Sequence, residues 1–332
     1  MHPAFRTRRL APPPVDGFPQ AFGDYELRAL AGHGGMGYVY EAVRRDDPSQ
    51  ARLALKLILT ENCSAAELDQ LVERFRREAA VYQKLDHPHV VRLLDSGGFS
   101  EGRPFLVMEF LEGGTLKDRL VRYRDPVRAA RLTLAVARGL EAVHREGIFH
   151  RDLKPANLMF RTAAAMPDDV VLTDFGLARS ADGWAPLTRT GTFMGTPEFA
   201  SPEQLASTRD VDGRADIFSL GAVLHYLLTG RMAFPCTRGQ ALGEYIAARK
   251  HQQPPGLWKA DEPPTFDSEE LESVCRQCLQ PNPAARYPAA ADLIEALEQA
   301  LVSLSPVRLA QAAPEEISPS VFPPTLPPGF MA

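Results

Sequence analysis

The sequence predicts an α+β protein in two lobes, a small sheet-rich lobe followed by a larger helical one. Three observations carry this. Short strand-like runs dominate from Tyr25 to about Met108 with a single helix among them, the apolar spacing turns mainly helical after Gly113-Gly114, and Pro-rich flanks bracket both stretches. At 332 residues, 45% of them hydrophobic, the chain is too long for one small core. It suits one large two-lobed domain or two ordinary ones.

Residues 1–22 are rich in Pro and Arg, including Pro12-Pro13-Pro14, and read as a flexible leader. The runs Tyr25–Ala31, Tyr38–Val43, Leu53–Leu59, Val90–Leu94 and Phe105–Met108 read as strands. Between the third and fourth, Leu68, Leu71, Val72, Phe75, Ala79 and Tyr82 recur at helical spacing. The lobes join near Glu109–Gly114, which sets a small lobe over about 23–110 and a large one over about 111–304. In the large lobe Leu132, Ala135, Val136, Leu140 and Val143 form one helical stripe, and Ile217, Leu220, Leu224, Leu227 and Leu228 another. Leu293, Leu297 and Leu301 close the domain. From Ser305 to Ala332 the prolines recur too often for helix or central strand, so 305–332 read as a disordered or polyproline-like tail. A cleft between the lobes is where a ligand is expected.

The formal net charge of −5 gives no reason to expect a nucleic-acid or membrane-surface binder. Four cysteines, Cys63, Cys236, Cys275 and Cys278, make no disulfide framework, which points to a reducing compartment and a cytoplasmic location. The Cys275-x-x-Cys278 spacing lacks a second pair or a His cluster, so a helix with two small apolar residues is favoured over a zinc site. No apolar run has the length of a signal-peptide core or of the roughly 18 residues of a membrane span.

Chemistry enters with Gly32-His33-Gly34-Gly35-Met36-Gly37, set between two strand-like runs. Glycines let a backbone approach a polyanion and turn its N–H groups toward phosphate oxygens. A dinucleotide fold uses the same spacing but runs from strand into helix, whereas Tyr38–Val43 reads as strand; a plain turn stays open on this motif alone. Lys56 then stands in the apolar strand Leu53-Ala54-Leu55-Lys56-Leu57, where an ammonium needs an anion or an escape to solvent. Glu78, on the following helix, is a candidate partner. Further on come His150-Arg151-Asp152-Leu153-Lys154-Pro155-Ala156-Asn157 and, after the strand-like Val170–Thr173, Asp174-Phe175-Gly176. Two carboxylates and an amide carbonyl on loops suit a hard divalent cation that shares its oxygens with phosphates.

In this order the motifs resemble the eukaryotic-type serine/threonine protein kinases over about residues 24–303, with bacterial members closest in the Gly-Gly-Met-Gly loop and in Ser201-Pro202-Glu203-Gln204. The resemblance implies the two-lobed protein-kinase fold, with a small antiparallel-sheet lobe carrying one main helix. It implies transfer of the ATP γ-phosphoryl group to protein hydroxyls, with Mg²⁺, or Mn²⁺ as the alternative. By position, Gly32, Gly34 and Gly37 would cover the phosphates, and Lys56 would hold them and pair with Glu78. Asp152 would take or orient the substrate proton, and Lys154 would neutralise the phosphoryl group in transit. Asn157 and Asp174 would bind the metal. Val39 and Ala54 would roof the adenine and Met159 floor it, with Met108 as gatekeeper and the backbone from Glu109 to Leu111 bonding the base. Thr196 would support the substrate hydroxyl, and Asp216 and the Glu203–Arg286 pair would serve structure. Arg151 before the catalytic Asp implies a switch by phosphorylation, with Thr188 and Thr190 as the expected autophosphorylation sites. Protein substrates and ATP are the implied partners, and two copies pairing through the small lobe remain an open arrangement. A scaffold without chemistry and a small-molecule phosphotransferase are the competing readings; Lys56, Asp152 and Asp174 argue against the first, and Lys154 and Pro202-Glu203 against the second.

Overall fold

Aromatic and branched residues alternate with polar ones from Tyr25 onward, and that period of two builds a sheet. The computed structural model describes residues 16–34, 37–58, 65–98, 104–175, 197–206, 211–236, 241–257 and 269–304. Six strands form one antiparallel sheet in the order β1-β2-β3-β4-β6-β5: β1 Gln20–Phe22, β2 Tyr25–Gly34, β3 Gly37–Arg44, β4 Leu53–Ile58, β5 Leu93–Gly97 and β6 Phe105–Glu109. Its register sets Val39 opposite Lys56 and Ala54 opposite Met108. On one face Tyr25, Leu27, Tyr40, Ala42, Leu55, Leu57 and Val107 form a small core.

The leader reading is corrected at its end. Residues 20–22 pair with β2, Phe22 opposite Tyr25, because Phe18 and Phe22 have an apolar face to cover and pack on that core. The fourth strand also starts later than expected, at Leu93; Val90 instead makes a single bridge to Leu172 across the lobe boundary.

On the other face lies α1, Ala65–Tyr82, with Phe75, Ala79 and Tyr82 buried. These belong to a second, larger core that continues through Met108 and Leu111 into the helical lobe. That lobe is built on α2 Pro126–Arg145 and α4 Gly213–Thr229, packed against each other and against α6 Glu269–Cys278 and α7 Ala290–Ser303. Asp125 caps α2 by accepting from Arg128 N–H, with Pro126 at the first helical position. Gly230 closes α4 at φ 67°. A two-stranded sheet, β7 Leu158–Phe160 and β8 Val170–Leu172, lies under the lobe boundary; the short α3 Pro202–Leu205 and α5 Leu242–Arg249 complete the lobe. Cys275 and Cys278 are buried on α6, and burial raises both thiols, as an apolar role requires.

Candidate active site

The catalytic candidates sit on the loop between α2 and β7, held from beneath by one buried carboxylate. Asp216 of α4, almost wholly buried, accepts from the backbone N–H of His150 and of Arg151 at 2.8 Å each, and meets His144 Nε2 at 2.9 Å. Burial alone would push its carboxyl up, but these bonds and the neighbouring imidazoles outweigh it and hold it below the usual range. Arg151 is left at φ 60°, a conformation a side-chain-bearing residue adopts only when its surroundings impose it. His150 accepts from Asp152 N–H at Nδ1 and lies 2.8 Å from Thr173 O at Nε2, which assigns the neutral tautomer with the proton on Nε2. Burial lowers its pKa accordingly.

On this support the functional groups converge. Lys154 Nζ donates to Asp152 Oδ2 at 3.0 Å, and Asn157 Nδ2 donates to Asp152 O at 2.8 Å and to Oδ2 at 3.1 Å. The backbone N–H of Thr173 donates to Asn157 O at 3.0 Å, which ties this loop to the residue before Asp174. Asp174, at φ 58°, receives Lys56 Nζ at 2.5 Å, so β4 of the small lobe grips the large lobe across the cleft. Burial would raise the Asp174 carboxyl; Lys56 above all, with His150 and Lys154, holds it low and ionised. Glu78 sits half-buried on α1 between Phe75 and Ala79. The ion pair that the structure records for Lys56 is the one with Asp174.

Asn157 spends its amide nitrogen on Asp152, which leaves its side-chain carbonyl oxygen as a candidate ligand atom on the loop that Thr173 ties to Asp174. Among the described residues no group of three His, Cys, Asp or Glu could hold a metal by itself. One amide oxygen and one carboxylate fit a divalent cation that takes its remaining ligands from water and phosphate. The glycine-rich loop differs between its ends. A Cβ at Gly37, φ 148°, would lie 1.9 Å from Leu57 O, whereas a Cβ at Gly32 would enter open space. Gly34 ends β2. Val39, Ala54 and Met159 are half-buried and Met108 and Leu111 buried, all on or beside the strands that border the cleft; Glu109 ends β6. Thr188, Thr190 and Thr196 lie outside the described residues.

Two supports were not foreseen from the sequence. Gln204 Nε2 donates to Arg151 O at 2.9 Å, and its Oε1 accepts from Ser201 N–H, so α3 carries the catalytic loop from a second side. Arg161 binds Glu109 from the large lobe. Neither carries a local signal, since their contacts span 53 and 52 residues. The Glu203–Arg286 pair is present, Nη1 to Oε1 at 2.6 Å and Nη2 to Oε2 at 2.9 Å. Among the described residues no helix is long and apolar enough to cross a membrane.

Comparison with known proteins bears on the family and the fold. The family model described as protein kinase domain matches residues 25–297. The serine/threonine-protein kinase PknJ of Mycobacterium tuberculosis is 38% identical over 291 residues, covering 84% of this chain and 46% of the relative. The kinase pkn3 of Myxococcus xanthus is 34% identical over 282 residues, covering 83% and 50%. This chain thus spans half or less of their length. A crystal structure of Rad53 1–466 in complex with AMP-PNP superposes with a TM-score of 0.58 at 24% identity over 82% of this chain and 64% of that one, a likeness of fold. The chain belongs to the protein kinase family, among its bacterial-type serine/threonine kinases.

Proposed function

We propose that this protein transfers the γ-phosphoryl group of ATP to serine and threonine hydroxyls of protein substrates, with Asp152 as the base and Lys56, Lys154, Asn157 and Asp174 as the phosphate-handling set. The observation that carries this reading is the linked cluster Asp152–Lys154–Asn157 and Lys56–Asp174, joined through Thr173 at the mouth between the lobes.

In this reading Asp152 receives the hydroxyl proton as the substrate oxygen bonds to the γ-phosphorus, and the bridge from that phosphorus to the β-phosphate oxygen breaks to release ADP. Lys154, already on Asp152, presents its ammonium to the oxygens that gain charge, and Lys56 holds the α- and β-phosphates. Gly32, Gly34 and Gly37 cover the phosphates with backbone N–H groups. Val39, Ala54 and Met159 enclose the adenine, with Met108 behind it and the backbone of Glu109 to Leu111 along its edge. Asn157 and Asp174 would hold Mg²⁺, with Mn²⁺ the substitute; the bound cation supplies charge neutralisation between the phosphates. Glu78 is the further partner we assign to Lys56 when nucleotide is bound. Thr188 and Thr190 are the autophosphorylation sites, one copy modifying another, and a phosphate there would reach Arg151. The sparse cysteines, unpaired at the three described positions Cys236, Cys275 and Cys278, support a cytoplasmic setting.

The test is a timed transfer assay with ATP and Mg²⁺ on the parent and on Asp152→Asn, followed by peptide mapping. The parent gains phosphothreonine at 188 or 190 and phosphorylates a generic protein substrate. Asp152→Asn binds ATP with unchanged affinity and loses about 10²–10⁴ in kcat. A parent that binds ATP and transfers nothing overturns the catalytic assignment.

A further inference from the structure

The segment joining the lobes, Glu109 to Glu112, is gripped at both ends by one residue of the large lobe. Arg161, just after β7, donates from Nε to Glu109 Oε2 at 3.1 Å and from Nη2 to Oε1 at 2.9 Å, a planar two-point fork. Its own carbonyl accepts from Glu112 N–H at 3.2 Å. Its Nη1 donates to Pro88 O at 2.7 Å, in the turn that follows α1, and its N–H is anchored on Asp169 O. Glu109 is equally committed: its Oε1 also accepts from Arg92 N–H at 2.9 Å, and its N–H donates to Arg92 O. From the small-lobe side, Arg52 lies over the Phe110 ring at 3.9 Å and bonds Glu41 and Glu112.

These partnerships are uneven. Arg52 is nearly half exposed and bonds two surface carboxylates, so water screens it and it adds little. Arg161 and Glu109 are about one-third and one-fifth exposed. They lock three pieces of chain into one register: the end of β6, the start of the large lobe and the turn after α1. The paired charges support this geometry, the carboxyl being held low against its burial and the guanidinium held high. A groove of about 440 Å³ opens beside the pair, lined by Asp86, His87, Pro88, Val90 and Arg92, so the fork stands at an open edge of the lobe boundary.

We propose that Arg161 is a positioning residue for nucleotide selection: by holding Glu109 with its side chain and Glu112 with its carbonyl, it fixes the register of the backbone between them, and thereby the choice of adenine over other bases. This rests on the reading that this backbone borders the nucleotide base. The chemical consequence concerns the base and not the phosphates, because Arg161 touches no residue assigned to phosphate handling. A slip of this backbone misaligns a hydrogen-bonded edge, and such edges discriminate among ligands more strongly than apolar contact does.

The experiment compares the parent with Arg161→Met, which keeps the stem and the backbone but removes the fork, and Arg161→Lys, which keeps one charge. Equilibrium binding of ATP and of GTP is measured for each, with kcat, KM for ATP and thermal unfolding alongside. Arg161→Met is expected to weaken ATP about tenfold, to weaken GTP far less, and to leave kcat within about twofold. Arg161→Lys falls between the two, since an ammonium cannot make the fork. Equal weakening of ATP and GTP, or unchanged affinities with a lower melting temperature, overturns the proposal and leaves Arg161 a structural brace. If the parent binds ATP but transfers no phosphate, the binding arm still decides this inference while the assignment of Asp152 falls.

Discussion

Two glycines of the loop to which we assign the phosphates separate what a residue does for the fold from what it would do for a ligand. Gly37 has φ 148° and a backbone oxygen, Leu57 O, 1.9 Å from where a Cβ would stand, so no side chain fits without moving β3 off β4. Gly32 has neither constraint. Gly37→Ala is therefore expected to destabilise the small lobe by at least the roughly 1–3 kcal/mol of a forced backbone conformation. Gly32→Ala should leave the unfolding midpoint within about 0.5 kcal/mol of the parent while weakening ATP. Denaturant titration beside nucleotide binding reads both; equal stability losses at the two positions would refute the distinction. The motif was legible in the sequence because glycine carries its own signal. Which glycine is held by sterics and which is free for the ligand was not, because that depends on the strand lying across from it.

At the scale of elements, two buried arginines behave differently. Arg286, beneath α3 and α4, spends all five N–H groups: two on Glu203 and one each on Gln280 O, Arg214 O and Pro281 O. Arg249, at the end of α5, is buried as well, yet among the described residues it makes one long backbone bond, to Ala200 O at 3.3 Å, and engages the Tyr245 side chain. Among the described residues its Nε and Nη1 have no hydrogen-bond partner, and the guanidinium carbon lies 3.5 Å from the centre of the Phe234 ring. Burial brings its pKa down to about 10. Arg286→Met strands a buried carboxylate and should cost about 3–5 kcal/mol, whereas Arg249→Met trades a poorly partnered cation for apolar volume and should be neutral or stabilising. Chemical unfolding of the two variants checks this, and similar losses would refute it. The Glu203–Arg286 pair was readable from the order of motifs along the chain. Arg249 was not, since its environment is made by Phe218 and Phe234 from other parts of the lobe, and a lone Arg on an amphipathic helix reads as a solvated face. The same holds for β1: its pairing with β2 was hidden inside a Pro- and Arg-rich stretch, where composition outweighed three residues of pattern.

For the molecule as a whole, acid sensitivity follows from where its histidines lie. His87, His89, His150 and His225 all have pKa values below the ordinary 6.5, chiefly through burial. Three of them engage backbone carbonyls that join separate pieces of the fold: His89 with Val170 O, His150 with Thr173 O and His225 with Arg231 O. The unfolded chain takes up these protons near pH 6.5, and the folded one only below it. The stability each contributes is therefore fully present above about 6.5 and is lost as pH falls through the folded values. Of the carboxylates held low, Glu109, Asp174, Asp212 and Asp216 lie within the fold and act with the same sign, but only as the pH falls below their ordinary values of 4.5 for Glu and 3.8 for Asp. Between about pH 6.5 and 5 the histidines dominate. His150 matters most among them, because its Nδ1 accepts from Asp152 N–H and a second proton would leave two donors facing each other at the catalytic loop. The melting temperature is thus expected to be lower at pH 5.5 than at pH 7.5, with the loss beginning near 6.5 and with the amide exchange of residues 150–157 and 170–173 rising in step. A flat or rising melting temperature over that interval would mean that these imidazoles gain as much from nearby carboxylates as they lose by burial, which would move Asp216 from a structural support of the loop to the group that keeps it folded in acid.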